Sequence, residues 1–186
     1  IIHTVELPKE ITYLGSFAFY QCSNLNSIII PPKISNIPDS LFKECNSLEK
    51  IDFHCNLTSI GSYSFSYCKN LTSLSIPDTV ESIGSSAFSY CSSLINITIP
   101  PKVTVIQNYL FYECEQLISI EFLGNIKTIC SNAFNGCIRL IQVELPNNIE
   151  SIGDYSFYKC RSLKSVAING DIKSIGAFAF SKCIQI

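Results

Sequence analysis

Leu71-Thr-Ser-Leu74-Ser-Ile76-Pro77-Asp-Thr-Val80-Glu-Ser-Ile83-Gly84-Ser-Ser-Ala87-Phe88-Ser-Tyr-Cys91 is one copy of a pattern that fills the chain. Its Phe88/Cys91 element recurs as Phe19/Cys22, Phe42/Cys45, Phe65/Cys68, Phe111/Cys114, Phe134/Cys137, Phe157/Cys160 and Phe180/Cys183, always 23 residues on and without insertion. A period that strict defines a solenoid. A unit this small cannot bury its own apolar face and must stack on its neighbours, which leaves function to the exposed surface rather than to one pocket.

Every column stays in register. Leu25, Leu48, Leu71, Leu94, Leu117, Leu140 and Leu163 lie three residues after each Cys, with Ile2 and Ile186 holding the column at the two ends. An alternating apolar pair follows: Val5/Leu7, Ile28/Ile30, Ile51/Phe53, Leu74/Ile76, Ile97/Ile99, Ile120/Phe122, Val143/Leu145 and Val166/Ile168. Alternation over so few residues, rich in β-branched side chains, predicts a short strand with one face inward in each copy. Pro8, Pro31, Pro77, Pro100 and Pro146 stop the strand, because Pro lacks the N–H that a ladder needs. In other copies Gly or Asn turns the chain, as in Gly124-Asn125 and Asn169-Gly170.

The second half of each unit changes period. Pairs such as Ile34/Ile37, Val80/Ile83 and Ile149/Ile152 precede a frequent Gly, and the Phe-x-x-Cys-x-x-Leu segment follows. In the first unit the apolar positions Leu14, Ala18, Phe19, Cys22 and Leu25 stand at helical offsets. They predict a helical or 3₁₀ turn or two on the side opposite the strand. One strand and one short helix per unit is the leucine-rich-repeat arrangement of α/β horseshoe type, with eight repeats and parallel strands on the concave wall.

The pattern L-x-x-I-x-I-P-x-x-I-x-x-I-G-x-x-A-F-x-x-C resembles the BspA-like (treponemal-type) leucine-rich repeats, and the resemblance covers all eight units. It implies a protein-binding repeat module, the ectodomain of a microbial or protozoan cell-surface protein that attaches to host cells or matrix proteins. No binding residues are shared across that family, so none carries over. The resemblance implies a cell-surface or secreted location, with membrane contact only through regions outside this chain.

Composition narrows the classes. The chain is 47% apolar and 15% charged, as a packed solenoid requires, and no apolar run approaches the length of a membrane span. A net charge of −2 and 13 scattered Lys and Arg residues argue against nucleic acid, whose binders carry a basic stripe. Residues 1–186 read as one domain of eight whole periods. With no polar capping repeat at either end, they are expected to be a segment of a longer array.

Ten cysteines invite a disulfide reading, but eight share one column. Equivalent side chains on successive coils are separated by a strand spacing of about 4.8 Å, more than the ~3.5–4.5 Å between the Cβ atoms of a disulfide. Buried thiols acting as small apolar residues are therefore expected. Cys55 and Cys130 lie outside the column and are expected unpaired, Cys55 being the better candidate for an exposed thiol. The two histidines, His3 and His54, have no carboxylate or Cys at metal-ligand spacing. His54-Cys55 could support a nucleophile only if the fold supplied an orienting group, and neighbours on an extended segment face opposite ways. With no Gly-rich phosphate loop and no Ser/His/Asp arrangement, no enzyme activity, metal or cofactor is expected.

Two surfaces remain. On the strand face the outward position is Glu6, Ile29, Asp52, Ser75, Thr98, Glu121, Glu144 and Ala167, a mildly acidic strip of small side chains. It reads either as an ordinary solvated sheet face or as a partner footprint for a basic segment, weakened by salt. On the opposite side Phe17, Tyr63, Tyr109 and Tyr155 recur every 46 residues, joined at i+3 or i+4 by Tyr20, Tyr67, Tyr112 and Tyr158. These rings either shield the core or form an interface, for which Tyr offers large area and a polar tip.

Three sequons, at Asn56, Asn70 and Asn96, could carry glycans in a eukaryotic secretory pathway, and one on Asn96 would cover part of the acidic strip. The leading expectation is a module that binds a protein partner. A structural module that self-associates into dimers or filaments through uncapped ends or the Tyr-rich face is the alternative. An intracellular scaffold is a third, favoured if the cysteines are reduced and the sequons empty.

Overall fold

A computed structural model describes residues 3–168 and 170–186, so the expectations for Ile2 and for Asn169 lie outside the described residues. The alternating pairs form a parallel ladder of Thr4–Val5, Ser27–Ile30, Lys50–Phe53, Asn96–Ile99, Ser119–Phe122, Gln142–Glu144 and Ser165–Ala167. Each paired residue faces the one 23 positions on: Thr4 faces Ser27, Ile30 faces Phe53, Ile99 faces Phe122 and Val143 faces Val166. One coil is therefore one repeat. In Ser27–Ile30, Ile28 and Ile30 are buried while Ile29 is exposed, which is the period-two alternation of a strand with one face on the core.

The ladder is not continuous, and Pro tracks its breaks. Where the later coil has no Pro at the strand exit, three or four residues pair, and the N–H of His54 and of Leu123 reaches back to the carbonyls of Ile30 (3.0 Å) and Ile99 (3.1 Å). Where the later coil ends in Pro, two residues pair at Pro31 and none at Pro77, Pro100 or Pro146. The missing N–H removes the bond that would close the ladder. The strand expected at Leu74/Ile76 is accordingly not formed, although both side chains stay buried.

A second set of parallel two-residue strands, not expected from the sequence, pairs in two runs: Asn36–Ile37, Ser59–Ile60 and Ser82–Ile83, then Val105–Ile106, Thr128–Ile129, Ser151–Ile152 and Ser174–Ile175. It too steps by 23, with Ile37 on Ile60 and Ile129 on Ile152. The following Gly column explains itself here: a Cβ on Gly84 would lie 2.5 Å from the backbone N of Ser62 in the coil before. The Gly84 N–H donates to Ile60 O at 2.8 Å, a bond that Cys130 in the same column makes to Ile106 O at the same distance.

The expected helical or 3₁₀ turns are absent; the described residues contain no helix, and the α/β horseshoe is replaced by an all-β solenoid. The Phe-x-x-Cys segment is a ladder of turns. Tyr20 and Cys22 donate N–H back within their own coil, to Phe17 O (2.9 Å) and Phe19 O (3.1 Å). The alternate N–H groups of Phe19 and Gln21 donate instead to Leu41 O (3.1 Å) and Lys43 O (2.9 Å) of the next coil. Turning every second amide outward needs left-handed residues, and each coil has two of them four apart: Tyr63 and Tyr67, Ser86 and Tyr90, Tyr155 and Lys159. A left-handed residue ends a right-handed helix, so apolar spacing alone misreads the segment.

The core runs the length of the coils. Phe19, Phe42, Phe65, Phe88, Phe111, Phe134, Phe157 and Phe180 stack with ring centroids 5.0–5.6 Å apart. Each fully buried ring adds roughly 1.5–3 kcal/mol of apolar stabilisation. The column thiols are free and buried from Cys45 to Cys160. They are also donors: Cys45 Sγ lies 3.0 Å from Phe19 O, and Cys114 Sγ 3.1 Å from Phe88 O. Cys55, expected to be exposed, is half-buried because it packs partly against the core, and Cys22 is exposed.

Candidate functional site

The strand strip is arranged as the alternation requires. Glu6, Ser75, Glu121 and Glu144 are exposed, and Asp52 and Thr98 half-buried. Its acidity is partly spent internally. Lys50 Nζ pairs with Asp52 Oδ2 at 2.9 Å, and the Thr98 hydroxyl donates to Glu121 Oε2 at 3.2 Å. Glu121 and Glu144, one coil apart, line a shallow depression of about 370 Å³ with Phe122 and Gln142. Near the first coils a larger apolar hollow of about 640 Å³ opens between Leu7, Ile29, Pro31 and His54.

The turn face brings together most of the expected tyrosines. Tyr109 meets Tyr112 edge to face at 5.5 Å, and Tyr155 meets Tyr158 likewise at 5.5 Å, both i+3 pairs made by a turn rather than a helix. Tyr67 stacks on Tyr90 of the next coil at 4.3 Å, and Tyr90 meets Tyr112 at 5.3 Å. Tyr63, Tyr109 and Tyr155 stand out from this layer at 46%, 44% and 37% exposure. Between Tyr63 and Tyr109 lies a groove of about 370 Å³, with Ser86 and Ser89 buried in its floor and Lys43 at its rim.

Sequence reasoning missed four of these residues. Tyr90 breaks the 46-residue alternation but stands 23 after Tyr67, a period that would have found it. Ser86 and Ser89 matter for being small, and Lys43 for its ammonium, 5.5 Å from the Tyr63 ring centroid and 5.9 Å from that of Tyr20. Such contacts hold a cation at an aromatic edge. Burial, followed by the neighbouring Tyr90, pushes the Tyr67 phenol up; burial does the same to Tyr90. The hydrogen bond from Lys182 holds the Tyr158 phenol below its usual range, against a smaller effect of burial.

His54 is exposed, Cys55 is half-buried, and Cys130 takes the Gly position of the second ladder with its N–H on Ile106 O at 2.8 Å. Among the described residues no three metal-ligating side chains gather, and no helix is long and apolar enough to cross a membrane. Asn56, Asn70 and Asn96 are all exposed.

A parallel solenoid with one coil per repeat and an inward Phe stack defines a repeat scaffold. The BspA type leucine rich repeat region matches residues 1–118 and 104–186 in six copies, and the chain belongs to that family. Similar solved structures include a leucine rich cell surface protein from Faecalibacterium prausnitzii, 26% identical with a TM-score of 0.83 over 91% of this chain. The chain spans 48% of that protein's length. The Treponema pallidum leucine rich repeat protein is 25% identical with a TM-score of 0.67, covering 99% of this chain and 78% of that one. A leucine-rich repeat protein from Eubacterium ventriosum shares the fold at 22% identity and a TM-score of 0.75, over 97% of this chain and 58% of its own. Among curated proteins, none matches the chain.

Proposed function

We propose that this chain is a protein-binding module of a cell-surface protein, and that it attaches that protein to a host-cell or matrix protein through its tyrosine face. The groove between Tyr63 and Tyr109 carries the reading: exposed aromatic walls over a floor of small hydroxyls offer large contact area with few rotatable bonds. The strand strip is the weaker candidate, because Lys50 already partners Asp52 and the Thr98 hydroxyl already donates to Glu121. The Faecalibacterium relative, described as a cell surface protein, supports the location.

The test is surface plasmon resonance of matrix proteins over the immobilised chain, comparing Tyr109→Ser and Tyr155→Ser with Glu121→Ala and Glu144→Ala. The tyrosine variants are expected to weaken binding at least tenfold, and the glutamate variants less than twofold. The opposite ranking would move the contact to the strand face. Light scattering across a concentration series reads out the alternative of self-association, in which the mass rises above 20.7 kDa with concentration.

A further inference from the structure

The edge where each coil leaves the Phe-x-x-Cys turn and bends into its first strand changes sign along the molecule. In residues 21–26, 44–49, 67–72, 90–95 and 113–118 it carries Glu44, Glu49, Glu113 and Glu115 against Lys69 alone. In the last three coils, residues 136–141, 159–164 and 182–186, it carries Arg139, Lys159, Arg161, Lys164 and Lys182 and no carboxylate. Equivalent positions stack at one strand spacing, about 4.8 Å, so cations that are scattered in the sequence are gathered by the fold. Both arginines of the chain are among them. Lys159 is half-buried and the other four are exposed.

These charges have no internal counter-charge. The ion pairs use Lys33, Lys50, Lys102 and Lys173, and among the described residues none of the five edge cations lies in one. Lys159 and Lys182 flank the Tyr158 ring, with Nζ 5.5 and 5.1 Å from its centroid. Arg139 and Lys164 line a depression of about 310 Å³ together with Ser162 and Gln185. Arg139 donates to Gln116 Oε1, which orients the guanidinium and leaves its other N–H groups for a ligand. Like charges held together repel, and an anionic ligand relieves that repulsion.

We propose that this edge binds a sulfated polysaccharide. The planar fork of Arg meets a tetrahedral oxyanion with two parallel bonds, while Lys supplies a point charge. A polymer carrying sulfates on successive sugars engages several cations at once, and each contact raises the effective concentration of the next. The inference rests on the cell-surface location proposed above, where the polyanions of this chemistry are glycans. A second copy offering the acidic part of the same edge fits less well: Lys69 dilutes that part, and Glu44 already accepts from Tyr20 at 3.3 Å and from Gln21 at 2.9 Å. The groove between Tyr63 and Tyr109 belongs to other coils, so the two sites act independently.

Two triple variants isolate the edge from net charge. Arg139→Gln, Arg161→Gln and Lys164→Gln together remove three edge cations at positions without a left-handed backbone. Lys33→Gln, Lys102→Gln and Lys173→Gln together change the net charge equally, away from the edge. The probes are a fluorescein-labelled heparin hexasaccharide, a hyaluronan fragment of equal length, whose only anions are carboxylates, and an oligothymidylate of matching charge. Binding is followed by anisotropy.

Saturable heparin binding at about 0.15 M salt, at least tenfold tighter than either other probe, is the expected result. Log affinity should fall against log salt with a slope of about −3.5, five contacts at about −0.7 each. The edge variant should lose at least tenfold and the control variant less than twofold, at unchanged circular dichroism. Absent heparin binding, equal losses in the two variants, or tighter binding of hyaluronan or oligothymidylate overturns the proposal. So does a mass that doubles with concentration only while the edge is intact, which assigns the edge to a second copy. If heparin fails while Tyr109→Ser still weakens capture of a matrix protein, only the edge is struck. If capture fails while heparin binds, only the tyrosine face is.

Discussion

The Sγ of Cys91 lies 3.1 Å from the carbonyl oxygen of Phe65, in the coil before it. That oxygen already accepts the N–H of Cys68 at 3.0 Å, so the thiol is a second donor on one acceptor. The column needs a side chain that is small, mostly apolar and still able to donate, and a thiol meets all three conditions.

Two substitutions separate those roles. Cys91→Ser keeps a donor and is expected to lower stability by about 1 kcal/mol, whereas Cys91→Val removes the donor and overfills a site with no exposed area, for about 2 kcal/mol or more. Urea unfolding midpoints would rank them. Equal or reversed losses would reduce the thiols to filler.

Burial also makes the column sensitive to alkali. It pushes Cys91 up to about 12, and raises Cys68, Cys114, Cys137 and Cys160 well above the ordinary thiol range. The folded chain then holds its thiol protons while the unfolded chain releases them above about pH 9, so stability is intact below that pH and falls above it. Each sealed thiol contributes a slope of about 1.4 kcal/mol per pH unit across the window. Thermal midpoints at pH 8, 9, 10 and 11 should stay level and then fall steeply, less so in Cys91→Ala. A fall of the same slope in that variant would assign the effect to other groups.

Much of the fold can be read from the sequence because identical columns must superpose. Phe42 meets Phe65 and Ile28 meets Ile51 because each is 23 residues from its partner, and spacing alone fixes that register. The Ala-Phe-x-x-Cys segment misleads for a local reason. Nothing in the identities of Tyr63, Ser86 or Lys159 announces a left-handed backbone, since such residues rarely adopt it and are held there by hydrogen bonds between coils. The tyrosines were visible as a face. The groove was not, because it is defined by Ser86, where a ring is missing.

Pro at the strand exit should act as a removable break. Leu123 occupies that column without Pro and donates to Ile99 O, so Pro77→Leu supplies an N–H able to reach Phe53 O in the same way. Hydrogen exchange should then show a slowly exchanging amide at position 77. Net stability should change by less than about 1 kcal/mol, because the new bond offsets the lost rigidity of Pro. Rapid exchange at that amide would mean that some other constraint interrupts the ladder between Phe53 and Ile76.

Lys159 decides between the turn ladder and a helix. It sits at φ 61°, its N–H donates to Ser181 O at 3.0 Å, and its side chain is half-buried with Nζ 5.5 Å from the Tyr158 ring centroid. Lys159→Ala and Lys159→Gly both remove the ammonium and keep the backbone donor, so the difference between them reports the backbone alone. In a helix, Gly would be less stable than Ala by about 1 kcal/mol. At a left-handed position the order reverses, because the Cβ of Ala meets the carbonyl that a Gly clears, at a cost of roughly 1–2 kcal/mol that exceeds the entropy lost by Gly. Paired chemical denaturation of the two variants should therefore place Gly above Ala by up to about 1 kcal/mol. Ala above Gly would return the segment to a right-handed turn.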